Sequence, residues 1–275
     1  MFSGPRTVFY ISDGTGITAQ TLGHSLLSQF EGVEFKTISV TFVDDASKAE
    51  ACLAEIRAKT HKGEHRPIVL STLVEGEIAD IIGQADALHV DLFRGFLTPL
   101  EAELGLKSTH YVGRSHAVVD TPDYLRRMEA VNYTLNHDDG LTNRNLDKAE
   151  VILVGVSRSG KTPTSVYLAM HYGLFSANYP LIPEDFERGA LPGGLEQHRD
   201  KLVGLCIDSQ RLHNIRSERR PDSVYASLEN CEYEIDSAKR LMTRYGIEWL
   251  DSTTKSVEEL SAAIIQKRGL KPVMF

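Results

Sequence analysis

Cysteine is scarce in this 275-residue chain: Cys52, Cys206 and Cys231 are odd in number, far apart, and form no CxxC pair. That pattern argues against a disulfide framework or a structural zinc site, and reads as three reduced thiols in a cytoplasmic protein. Long apolar runs are missing as well. No segment approaches the roughly 18 apolar residues of a membrane span, and the opening MFSGPRTVFYISDG lacks the apolar core of a signal peptide. The expectation is a soluble chain with no membrane partner. An excess of positive charge is also absent. A net charge of −8 argues against a protein built to coat nucleic acid, though it leaves room for a local basic cleft. Internal repeats and low-complexity tracts are missing too. What remains, 41% hydrophobic and 25% charged, is the composition of a soluble globular enzyme with one large or two modest domains.

Apolar strand-like runs alternate with helical patterns. Strands are predicted at 7–12, 35–43, 67–73 and 87–93, the last of these readable also as a helix start, with helices at 18–30, 46–59 and 75–82. Residues 96–116 mix a short helix with loop, and 124–135 carry Leu125, Met128, Val131 and Leu135 at helical spacing, ending in the polar cluster HDDG. A second series follows: strands at 151–154, 176–182, 202–208 and 247–250, and helices at 163–173, 209–220, 229–245 and from 257 onward. Strands and helices alternating at this spacing imply α/β architecture with parallel sheets. The predicted organisation is an N-terminal α/β domain over 1–148 and a P-loop, kinase-like nucleotide-binding domain over 149–275.

The second series contains the strongest motif. Gly155-Val156-Ser157-Arg158-Ser159-Gly160-Lys161-Thr162 matches GxxxxGK[ST] in full, between an apolar strand and an amphipathic helix. The glycines let backbone N–H groups converge on phosphate oxygens, and the helix N-terminus adds partial positive charge. Lys161 is expected to reach the terminal phosphates and the Thr162 hydroxyl to ligate Mg²⁺. The signatures of ordinary protein kinases, V-A-I-K, H-R-D and D-F-G, are absent.

Other candidates carry two readings each. Arg158 either adds charge beside the transferred phosphoryl group or faces solvent. Asp208, at the end of the strand LVGLCID, either holds Mg²⁺ or accepts the proton of an attacking hydroxyl, or caps the next helix, or does both. Arg211, Arg216, Arg219 and Arg220 form either a basic lid over the phosphates or a solvated face. DGTG at 13–16 is either a second anion site or a structural turn. His137, Asp138 and Asp139 are acid–base or metal groups, or a capped helix end.

Several segments together resemble one family: ISDGTGITA, PIVLSTLVEGE, FLTPLEAELG, HYVGRSH, AVNYTLNHDDG, VILVGVSRSGKTPTSVYLAMHYG, ANYPLIPED and RLHNIRSERRP. The chain resembles the phosphoenolpyruvate synthase regulatory proteins, relatives of the regulatory protein of pyruvate, phosphate dikinase, over nearly its whole length. The resemblance implies a bifunctional enzyme. One activity is an ADP-dependent kinase that inactivates phosphoenolpyruvate synthase by phosphorylating a Thr. The other is a pyrophosphorylase that uses inorganic phosphate to remove that group as diphosphate. On this reading Lys161, Asp208 and Arg158 are catalytic, residues 155–162 bind nucleotide, and Thr162 holds Mg²⁺. Pyruvate, phosphate dikinase as target, a small-molecule kinase and a non-enzymatic nucleotide sensor remain alternatives. The oligomeric state is not legible in the residues, a homodimer being one state that suits a regulator of a multimeric enzyme.

Overall fold

The structure is a computed structural model that describes residues 4–59, 65–109 and 122–272. The chain divides into two compact units, Met1–Ala117 and Val118–Phe275. Both are α/β with a four-stranded parallel sheet, as the alternation predicts.

The first unit contains β1 (Arg6–Ser12), α1 (Ile17–Leu27), β2 (Phe35–Val40), α2 (Ala46–Ala58), β3 (Ile68–Thr72), α3 (Gly76–Ile82), β4 (Leu88–Asp91) and α4 (Leu92–Leu104), with sheet order β2-β1-β3-β4. The 87–93 run resolves into both of its readings. Strand gives way to helix at Asp91, whose carboxylate accepts the Arg94 N–H at 2.8 Å and so caps α4. The DGTG turn ties the sheet together. Ser12 Oγ accepts the Gly14 N–H, Asp13 Oδ2 accepts the Val74 N–H at 2.7 Å, and the Phe42 and Val43 amides bond to Gly14 and Ser12 carbonyls. Of its two readings, the contacts display the structural turn. The segment HYVGRSH lies outside the described residues.

The second unit contains α5 (Pro122–Asn136), β5 (Val151–Gly155), α6 (Lys161–Tyr172), β6 (Ser176–Pro180), α7 (Pro183–Arg188), β7 (Leu202–Cys206), α8 (Ser209–Arg219), α9 (Leu228–Arg244), β8 (Trp249–Asp251) and α10 (Val257–Arg268), with sheet order β6-β5-β7-β8. The central strand β5 reads VILVG and is buried at every position, as a parallel strand covered on both faces must be. Its side chains alternate between two cores. Ile152 and Val154 join Tyr179, Leu202 and Met242 on one face, while Val151 and Leu153 join Leu168, Val203, Leu205, Leu260 and Ile264 on the other.

The boundary falls at 117/118 rather than near 148. Helix α5 packs on α6 and β6, and its Arg126 holds Glu150 through both carboxylate oxygens at 3.0 Å. The helix read as a transition segment is therefore a wall of the second unit. Its amphipathic spacing shows that it packs, but spacing alone does not name the neighbour. Among the described residues, no helix is long and apolar enough to cross a membrane.

Candidate active site

The loop at 155–162 joins the C-terminal end of β5 to the N-terminus of α6, as its motif requires. Gly155 is compelled by packing: a Cβ there would lie 2.3 Å from the Leu205 carbonyl oxygen of neighbouring β7. Gly160 is compelled by conformation, since it caps α6 at φ 92° with open space around it. Between them Arg158 takes a left-handed φ of 74°, unusual for a side chain with a Cβ, and its side chain is exposed.

Lys161 is only 4% exposed, and its Nζ donates to the Val156 carbonyl at 3.0 Å across the loop. Burial pushes its pKa down to about 8, against the opposing pull of Asp139 and Asp138 and with help from Arg158 and Arg216.

The Thr162 hydroxyl donates to Asp138 Oδ1 at 2.8 Å. Asn178, fully buried on β6, clamps the same turn: its Nδ2 donates to Asp138 Oδ1 at 2.7 Å and its Oδ1 accepts the Asp139 N–H at 3.1 Å. This clamp holds Asp139, exposed, at φ 45°. His137 pins the turn from behind, each ring nitrogen 2.7 Å from a main-chain carbonyl, of Tyr133 and of Arg144, with its ring stacked on Tyr133. The HDDG cluster is thus more than a helix end. It brings a carboxylate to the hydroxyl that the motif assigns to the metal.

Asp208 is exposed and caps α8, its Oδ1 accepting the Arg211 N–H at 2.9 Å. Of the roles weighed for it, the contacts display the cap. The basic cluster on α8 splits in two. Arg211, Arg219 and Arg220 are exposed, but Arg216 is wholly buried and is no lid residue. Its guanidinium donates to Glu234 Oε2 at 2.7 Å and to the Ser157 and Tyr225 carbonyls at 3.1 and 3.0 Å, with the Tyr225 ring stacked at 4.1 Å. Asn230 steadies the other Glu234 oxygen at 2.8 Å, and the Tyr225 hydroxyl meets Ser157 Oγ at 3.0 Å. A buried ion pair therefore braces the P-loop backbone from beneath.

A sequence model of the kinase/pyrophosphorylase family matches residues 8–265 of the chain. The chain belongs to the kinase/pyrophosphorylase family. Curated relatives of similar length agree. A protein of Aromatoleum aromaticum is 59% identical over 95% of both chains, and one of Azoarcus sp. is 58% identical over 95% of both. One of Janthinobacterium sp. is 54% identical over 97% of this chain and 94% of its own. All three are named as phosphoenolpyruvate synthase regulatory proteins. The match covers both units, and the GxxxxGK[ST] segment lies within it, between β5 and α6.

Of the further residues that the fold brings to the loop, one carries a signal in the sequence. Asn178 is a polar residue inside a strand whose other positions are apolar or small, which marks a side chain with a partner. Glu234 and Tyr225 carry no such mark, because only the packing of α8 on α9 brings them beneath the loop.

Proposed function

We propose that this chain regulates phosphoenolpyruvate synthase by reversible phosphorylation of a Thr, using ADP as donor in one direction and inorganic phosphate as acceptor in the other. The observation that carries the reading is Lys161, buried and short of counter-charge in a P-loop, beside the paired Thr162 and Asp138. It is supported by membership of a family described as kinase/pyrophosphorylase and by the names of the relatives.

In the kinase direction, the Thr oxygen attacks the β-phosphorus of ADP, the bond to the α–β bridging oxygen breaks, and AMP leaves. Loop amides and Lys161 hold the phosphates and offset charge that grows on the transferred group. The hydroxyl proton passes to a carboxylate. We assign it to Asp139, which is exposed, clamped by Asn178, and acts electrostatically on Lys161. Asp208, with one oxygen engaged in the α8 cap, is the second candidate. In the other direction, a phosphate oxygen attacks the phosphothreonine phosphorus, the bond to the Thr oxygen breaks, and diphosphate leaves while the oxygen regains its proton. Two polyanions meet in that step. Exposed Arg158, Arg219 and Arg220 are the available cations, whereas Arg216 is committed to Glu234.

The oxygen donors Thr162 and Asp138 suit a hard cation such as Mg²⁺. When bound, it would neutralise phosphate charge. Three buried free thiols, with Cys52 and Cys206 pushed up to about 11 by burial, fit a reducing cytoplasmic setting. Incubating phosphoenolpyruvate synthase with the protein and ADP should add one phosphoryl group to a Thr and release AMP, and Lys161→Met should abolish both. Inhibition of the synthase without any gain in its mass would refute the reading.

A further inference from the structure

Beside the P-loop, on the β7–β8 side, lies a cavity of about 410 Å³. Its walls include the apolar side chains of Ile207, Ile215, Val257 and Leu260, and its floor is the Ser159–Gly160 stretch of the P-loop. The rest is Arg158, Thr164 and Arg211 together with the loop that follows β8, Ser252-Thr253-Thr254-Lys255-Ser256. We propose that this cavity is the subsite for the nucleoside of the phosphoryl donor. The inference rests on the reading that the P-loop holds the donor's phosphates.

Four observations carry it. First, the volume and character fit: four aliphatic side chains give a flat heteroaromatic ring an apolar surface, while the hydroxyls and the cations Arg158, Arg211 and Lys255 can meet its polar edges and the start of its phosphate chain. Second, the rim is fixed in advance. The Ser252 hydroxyl reaches the carbonyls of Ser159 and Cys206 at 2.9 Å each, latching the loop to the P-loop itself. Thr253 Oγ1 is held between the Asp251 carboxylate (2.5 Å) and the Asp208 N–H (2.9 Å). Third, Ser159 lines the cavity and is 1% exposed, and its hydroxyl has no hydrogen-bond partner. A buried hydroxyl left without a partner is costly, and a bound ligand would relieve it. Fourth, the cavity and the Thr162–Asp138 pair stand on opposite sides of the loop. Asp138 is clamped from β6, at one sheet edge, whereas the cavity lies toward β8, at the other. A nucleoside in the cavity therefore sends its phosphates across the amides of the loop toward Lys161 and Thr162. The phosphate-dependent direction uses ligands with no nucleoside and leaves the cavity unused.

The test compares ADP and pyrophosphate, by calorimetry on the full chain and on two variants that fill the cavity from separate helices, Ile215→Trp and Val257→Trp. The expected result is at least a tenfold loss of ADP affinity in each variant, with pyrophosphate affinity within about twofold of wild type. In parallel, wild-type protein photolabelled with 8-azido-ADP should carry the label on residues 207–215 or 252–260. The proposal is overturned if both variants bind ADP as wild type does, if both ligands weaken equally, or if the label maps elsewhere, including to a site for the protein substrate. Failures of the two readings are distinguishable. Wild type that binds neither ligand refutes the P-loop reading, whereas wild type that binds ADP no more tightly than pyrophosphate refutes only the cavity.

Discussion

Thr162 donates its hydroxyl hydrogen to Asp138 at 2.8 Å, across 24 positions of sequence. The P-loop threonine thus finds its carboxylate upstream, on the turn that ends α5, and not at the end of a neighbouring strand where Asp208 stands. The contact joins the HDDG turn to the loop at 155–162.

Asp138→Asn preserves the shape of this contact and removes its charge. We expect turnover, and the Mg²⁺ concentration for half-maximal activity, to worsen by about 10–100-fold with little change in thermal stability. Asp139→Asn should slow phosphorylation of the target on the order of 10²-fold, the usual contribution of a general base. Asp208→Asn should leave both turnover and stability near wild type, because Asn caps a helix about as well as Asp. Steady-state kinetics on the three variants decides between the two carboxylates, and a collapse confined to Asp208→Asn would transfer the role of base to it.

Lys161 links binding to pH. Its folded-state pKa of about 8 lies below its ordinary 10.5, so between these values the unfolded chain holds a proton that the folded chain has released. Stability of the ligand-free protein should therefore rise across that window, and below it this group should add no pH dependence. A bound polyphosphate restores the charge. Above about pH 8, ADP binding should take up protons, read by calorimetry in buffers of different ionisation enthalpy. In Lys161→Met the uptake should vanish.

Gly155→Ala places a methyl 2.3 Å from the Leu205 carbonyl oxygen, a clash with backbone that no rotamer relieves. Forcing β5 and β7 apart should cost about 1–3 kcal/mol in urea unfolding and weaken ADP binding as well. Gly160→Ala meets open space but keeps the left-handed φ, so strain of about 1–2 kcal/mol is the whole expected cost.

Glu234→Ala leaves the guanidinium of Arg216 buried without its carboxylate. The expected loss is about 3–5 kcal/mol by denaturant unfolding. Replacing both partners with apolar residues should recover part of that stability. It should not recover phosphate affinity, because the double variant still lacks the bonds from Arg216 to the Ser157 and Tyr225 carbonyls.

Periodicity and punctuation alone located nearly every strand and helix, because each signal is local. The VILV run of β5 has no polar face to expose, and Gly173 ends α6 in a left-handed cap. Two elements went astray for local reasons too. α7 is a six-residue helix, too short to show a period, and β8 keeps only Trp249–Asp251 of the IEWL run and its neighbour. The loop between β5 and α6 was legible because its motif occupies eight consecutive residues.

Neighbours along the chain are enough to set the α/β alternation, the loop at 155–162, and the place of Lys161 and Thr162 within it. Tertiary structure decided which distant residues meet that loop. It turned Arg216 inward onto Glu234, assigned α5 to the second unit, set Asp138 against Thr162, and folded the loop after β8 beside Ser159. A charge or hydroxyl carries no sign in the sequence of the partner it will find, since that choice depends on how sheet order and helix packing bring remote segments to one edge.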